Sequence, residues 1–129
     1  MTARPEPGPR LIDGQNVLDL FNMNGFSAKP SLVATAGGAQ ASSLQLTSGL
    51  NEVVTVASSN DSSQLPAAKA GSVVFLRNEG ANTMRVYGRE GTSDTINGTI
   101  GTTAVTLAST ACLMFFCPRD GVWYSGILS

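Results

Sequence analysis

From Ser43 to the C-terminus the chain is cut into short β-type runs by Gly, Pro, Asn and Asp, and no stretch after residue 27 calls for a helix of two full turns. Ser43 to Thr47 alternates around Leu44 and Leu46. Glu52 to Val56 places Val54 and Val56 on one face with Val53 and Thr55 on the other. A polar loop over Ser58 to Ser63 and a break at Pro66 follow. Ser72 to Gly88 reads as a hairpin, with Val73–Leu76 as one arm, Met84–Tyr87 as the other, and Gly80 in the turn at φ > 0. Asn97-Gly98 between Thr95-Ile96 and Thr99-Ile100 is a second hairpin signal, of type I′. Ala104 to Ala108 alternates again, and Asp120-Gly121 joins Ala111–Cys117 to Val122–Leu128. Runs recurring at roughly 8 to 12 residues predict an all-β fold, a β-sandwich or jelly-roll-like barrel of about seven or eight antiparallel strands.

The N-terminal third is different. Pro5, Pro7 and Pro9 deny backbone donors and favour an extended arm. Behind them lies an apolar cluster that includes Leu18, Leu20, Phe21 and Phe26, and then a stretch of Ala, Gly, Ser and Thr around Gly37-Gly38 that reads as a linker or loosely anchored strand. The division is an extended arm and linker over 1–42 and a β-domain over 43–129. The arm lacks the apolar core of a signal peptide, and no apolar run is long enough to cross a membrane as a helix, so synthesis in a cytoplasm is the simple expectation.

Composition narrows the chemistry. Ser, Thr, Gly, Asn and Ala make up 62 of the 129 residues, eight basic groups face nine acidic ones, and histidine is absent. A net charge of −1 supplies no field for nucleic acid or an anionic membrane. Without histidine no Ser-His-Asp or Cys-His arrangement and no His-containing zinc site can be built. The expectation is a protein that is not an enzyme and holds no cofactor and no metal. A carboxylate pair from Glu90 and Asp94, or a calcium site from Asp94 and Asn97, competes with ordinary turn roles for these side chains.

Cys112 and Cys117 sit five apart, which in a strand puts them on opposite faces, where they act as small apolar residues rather than as a bridge. Between them Leu113, Met114, Phe115 and Phe116 make both faces of the strand apolar. Such a strand is either covered on both sides within the fold or has one face against a second subunit, and on the second reading Met114 and Phe116 are candidate interface residues. By the same alternation one of Trp123 and Tyr124 is core and the other partly exposed. Leu18, Leu20, Phe21 and Phe26 on the arm either add an edge strand or a cap to the β-domain or reach a neighbouring subunit or larger assembly, and on the second reading they are the second set of candidate interface residues.

The succession Gly71-Ser72-Val73-Val74-Phe75-Leu76-Arg77-Asn78, Met84-Arg85-Val86-Tyr87, Asp94-Thr95-Ile96-Asn97-Gly98, Ala104-Val105-Thr106-Leu107-Ala108 and Gly121-Val122-Trp123-Tyr124 resembles small virion structural proteins of tailed bacteriophages. It is most similar to those that decorate or cement the head. The resemblance covers about residues 50 to 129. It implies an all-β, often trimeric protein on the outer capsid surface, bound to the major capsid protein, with an arm extended over the coat. It transfers no functional residue. A head fibre, tail or baseplate component, and a carbohydrate-binding host-attachment module, are the alternatives.

Overall fold

The computed structural model describes residues 27–128, and within them the chain forms eleven strands. These are β1 (Ala28–Val33), β2 (Leu44–Gln45), β3 (Leu50–Thr55), β4 (Ser62–Gln64), β5 (Val73–Asn78), β6 (Met84–Tyr87), β7 (Thr95–Ile96), β8 (Thr99–Ile100), β9 (Val105–Leu107), β10 (Cys112–Arg119) and β11 (Val122–Ile127). They build a seven-stranded sheet in the order β1-β3-β5-β10-β11-β7-β8 and a four-stranded sheet in the order β2-β4-β6-β9.

The all-β class is as expected, but the arrangement is solenoid-like rather than a sandwich or barrel of antiparallel strands. The chain alternates between the two sheets for its first six strands. β1, β3 and β5 stack in parallel in one sheet, and β2, β4 and β6 stack in parallel in the other. Each pair makes one coil, and each coil lies one strand spacing beyond the last. Antiparallel strands then close the stack: β9 returns along β6, β10 along β5, and β11 along β10. The segment 27–42, which joined the arm in the sequence reading, supplies β1, the buried Ala34 and a single 3-10 turn at Gln40–Ser42.

The hairpin expected over Ser72–Gly88 does not form, because β5 and β6 lie in different sheets. Their connection is a corner of the coil. Asn78, fully buried at the end of β5, donates from Nδ2 to the carbonyls of Asn82 and Leu107 at 2.9 Å each and accepts from the Gly80 amide at 2.8 Å. Gly80 does not adopt positive φ. It is glycine because a Cβ there would lie 2.6 Å from the Val56 backbone nitrogen, in the corner of the coil beneath. Close stacking of corners, not turn conformation, selects the residue.

The polar loop expected over Ser58–Ser63 ends instead in β4, whose three residues are all buried. Ser62 and Gln64 reach the interior there because neighbouring coils satisfy them, whereas the Ser63 hydroxyl is buried without a hydrogen-bond partner. Ser43 Oγ and Ser62 Oγ lie 2.6 Å apart, and Gln64 Nε2 donates to the carbonyls of Gln40 and Ser43 at 3.0 and 3.3 Å. The Gln64 Oε1 accepts the Glu90 amide at 2.9 Å.

Where strand and turn signals coincide locally, structure follows sequence. Asn97 (φ 53) and Gly98 (φ 84) both occupy the left-handed region that a type I′ turn requires, and β7 and β8 pair across them. Gly121, at φ 84, sits in the turn from β10 to β11. Pro118, which has no N–H to offer a ladder, coincides with a one-residue register shift between Phe116 and Arg119.

The core lies between the sheets. The larger one contributes Val53, Val74, Leu76, Leu113, Phe115 and Trp123, and the smaller one meets them with Met84, Val86 and Leu107, together with Leu46 just past β2 and Leu65 just past β4. Each fully buried side chain of this size is worth about 1.5–3 kcal/mol of transfer free energy. Trp123 is completely buried, and Tyr124 is half-buried on the opposite face.

Candidate interaction face

Alternation along β10 sends Leu113, Phe115 and Cys117 inward and Cys112, Met114 and Phe116 outward. Both cysteines are free thiols on opposite faces of the strand. The outward face continues across neighbouring strands in register. One row runs Leu50, Phe75, Met114 and Gly126 across β3, β5, β10 and β11. The next joins Val73, Phe116 and Tyr124. The Phe116 and Tyr124 rings meet with centroids 5.8 Å apart and planes tilted by 35°, a spacing at which aromatic pairs attract beyond their area alone.

Charge appears only at the margin of these rows. Glu52, Arg77 and Cys112 form the third row. The Arg77 guanidinium is engaged by the Glu79 carboxylate through Nε. Leu50 is 40% exposed and Phe116 38% exposed, unlike the fully buried Phe115 beside it. The middle of the larger sheet therefore has two apolar sides, one facing the core and one facing outward.

Two concavities flank this face. On the β1 side a groove of about 280 Å³ is lined by Ala28, Pro30, Leu50, Phe75 and Cys112 with Lys29 at its lip. A cleft of about 520 Å³, which shares Cys112 with the groove, opens between β9 and the inner side of β10 and β11, with Val105, Leu107, Leu113 and Ile127 among its walls.

Of the candidate interface residues named from sequence, Met114 and Phe116 share the outward face of β10. Leu18, Leu20, Phe21 and Phe26 lie outside the described residues. Leu50, Val73, Phe75 and Tyr124, the neighbours that turn one strand's outer side into a continuous surface, were missed. The signal for part of it was present, since Val73-Val74-Phe75-Leu76 is apolar on both faces just as β10 is.

The acidic side chains hold backbone. Asp94 is buried and accepts the Ala68 amide at 2.8 Å, while Asn97 exchanges hydrogen bonds with Ser125 at 2.8 and 2.9 Å. Asp94 and Asn97 are thus held by different partners. Asp61 accepts from the Ala57 and Ser58 amides and the Ser58 hydroxyl. Glu90 is exposed, and it is its backbone N–H that bonds Gln64. Among the described residues no helix is long and apolar enough to cross a membrane.

In comparisons with known proteins, no family model matches the chain, and neither a curated protein nor a solved structure does.

Proposed function

We propose that this chain is a non-enzymatic structural protein of a tailed-phage particle, a head decoration or cement protein that joins other copies of itself and the major capsid protein through its outer sheet face and N-terminal arm. The observation that carries the reading is the pair of apolar rows, one across β3, β5, β10 and β11 and the other across β5, β10 and β11 with the Phe116–Tyr124 ring pair in it. A flat surface with charge only at its margin associates with little desolvation cost. A protein that binds the assembled coat lattice and not separated subunits stabilises the lattice by mass action, and many copies on one shell add multivalency. A homotrimer is the favoured assembly, by resemblance.

A second position, a head fibre or tail component, draws support from the solenoid-like stack, because among the described residues β1 and β2 are the edge strands of parallel stacks, the kind of end to which further coils can add. A glycan-binding role asks for an exposed aromatic among polar groups. Tyr124 instead lies against Phe116 on an apolar surface.

The test pairs sedimentation velocity with co-sedimentation on assembled capsids for the wild-type chain and the Met114→Lys and Phe116→Lys variants. The expected result is an oligomer that binds capsids, reduced by either variant to a folded monomer with weak binding. A wild-type monomer without capsid affinity overturns the reading.

A further inference from the structure

Two Asn-Gly pairs occur in the sequence, and Asn97-Gly98 is the one within the described residues. Both of its residues are exposed, at φ 53 and φ 84, in the tight turn between β7 and β8. A glycine after asparagine has no side chain to screen its backbone nitrogen. A Cβ at Gly98 would meet nothing within 4 Å, so the space beside that nitrogen is open. The nitrogen is a nucleophile within one residue of the Asn97 side-chain carbonyl carbon, and bond formation between them closes a cyclic imide.

The fold holds the side chain away from that reaction. Asn97 Nδ2 donates to Ser125 Oγ at 2.8 Å, and Asn97 Oδ1 accepts the Ser125 amide at 2.9 Å. A backbone N–H only donates, so its partner identifies the oxygen of the side-chain amide. Ser125 lies on β11 and is itself in register with Phe115 of β10, inside the larger sheet. The Asn97 amide proton goes to the Trp123 carbonyl at 2.9 Å, which fastens the turn to the same strand. Ring closure requires the side-chain carbonyl carbon to turn back onto its own backbone, and two bonds to a fixed strand oppose that rotation.

We propose that Asn97 is a site of spontaneous deamidation in the folded protein, and that Ser125 gates it by holding the side-chain amide across to β11. The Gly98 nitrogen loses its proton and bonds to Asn97 Cγ, and the Cγ–Nδ2 bond breaks to release ammonia. Water then opens the imide, giving aspartate by attack at the backbone carbonyl and re-forming the original chain path, or isoaspartate by keeping the new bond to Cγ and breaking the old peptide link. One water enters, one ammonia leaves, and nothing is oxidised or reduced. The aspartate product fits the site, since its oxygens accept from both the Ser125 amide and the Ser125 hydroxyl. The isoaspartate product lengthens the backbone inside a tight turn, so the Ile96–Thr99 register is lost and β8, paired only with β7 among the described strands, comes away. Either product brings a negative charge to a cleft whose lining, Asn97 and Ser125 included, has no charged side chain.

The experiment incubates the full-length chain at mildly alkaline pH, folded and in concentrated urea. Mass spectrometry of proteolytic peptides follows Asn97, with chromatography separating aspartate from isoaspartate. The folded chain should convert about tenfold more slowly than the unfolded one, through local opening of the hairpin. Ser125→Ala removes the hydroxyl and one of the two bonds, and should raise the folded rate about fivefold while leaving the unfolded rate unchanged. Ser125→Thr keeps a hydroxyl and should stay near the wild-type rate. Asn78→Ala weakens a corner outside the hairpin and should leave the folded rate as in wild type. Equal rates for folded and unfolded wild type, or an unchanged folded rate in Ser125→Ala, overturn the gate. So does a rise in Asn78→Ala as large as that in Ser125→Ala, because global unfolding then controls the reaction. Asn97 left intact in folded wild type and folded Ser125→Ala alike overturns the site itself.

Discussion

The Asn78 Nδ2 lies 2.9 Å from the Leu107 carbonyl oxygen, a contact that ties the last parallel coil to β9, the strand that closes over the smaller sheet. The same amide serves Asn82 and Gly80, so one fully buried side chain shapes its own corner and anchors its neighbour. Asn78→Ala leaves two carbonyls and one amide without these partners. At about 1–3 kcal/mol for each buried group left unsatisfied, partly relieved by relaxation, the variant should lose about 3 kcal/mol. Urea unfolding followed by Trp123 fluorescence measures this; a loss below about 1 kcal/mol would mean that water replaces the amide without cost.

Gly80 tests the stacking of corners directly. Its Cβ would meet the backbone of Val56 at 2.6 Å, and backbone cannot swing aside as a side chain can. Gly80→Ala should therefore cost about 1–3 kcal/mol or more, the range of overpacking. At Gly126, by contrast, a Cβ finds nothing within 4 Å. Gly126→Ala should be neutral, or stabilising by up to about 1 kcal/mol through reduced unfolded-state entropy. Thermal unfolding of both variants checks the contrast, and equal shifts in Tm would show that Gly80 is not sterically required.

The strands could be read from sequence because alternation and turn dipeptides are local. Thr95 to Ile100 carries its whole hairpin within six residues, and the structure keeps it. What joins which strand is not local. Asn78-Glu79-Gly80 carries the same residue types whether the chain doubles back in one sheet or crosses to another, and the choice is made by Val56 and Leu107, both more than 20 residues away. β4 was illegible for a related reason: Ser62, Ser63 and Gln64 have the composition of a loop, and burial of Ser62 and Gln64 becomes tolerable only once other coils supply partners. The outer face was half legible. Two-sided apolarity marked Met114 and Phe116, while the step from Met114 to Phe75 depends on long-range antiparallel pairing and the step from Phe75 to Leu50 on parallel register, neither of which a short-range pattern encodes.

Phe115 and Phe116 are adjacent in sequence and opposite in role. Phe115 is fully buried among the core residues, so Phe115→Ala should cost about 3–5 kcal/mol in transfer and cavity terms. Phe116 faces outward against Tyr124, and Phe116→Ala should cost the isolated chain only about 0.5–1.5 kcal/mol, the worth of the ring pair. Denaturant melts at low protein concentration, where any oligomer is dissociated, separate the two. Similar losses at both positions would mean that the outward face is covered within the monomer.

Gln64 offers a test that depends on pH. Its amide donates to the Gln40 and Ser43 carbonyls while its oxygen accepts the Glu90 amide, and the side chain is nearly inaccessible. Gln64→Glu replaces the donor nitrogen with an acceptor facing two carbonyl oxygens. Burial and those oxygens disfavour the carboxylate, so the introduced group has a folded-state pKa above its unfolded value. The folded state then binds the proton more tightly than the unfolded state does, and the variant gains stability as pH falls. The penalty is largest above the folded pKa, where the carboxylate is charged in both states. It shrinks as pH falls through that value toward the unfolded pKa of about 4.3, because the protonated group donates to one of the carbonyls again. The stability difference from wild type should therefore be smaller at about pH 5 than at about pH 8, measured by urea unfolding at both. A difference that stays constant would show that the introduced side chain has swung out to water, and that Gln64 does not clamp the coils together.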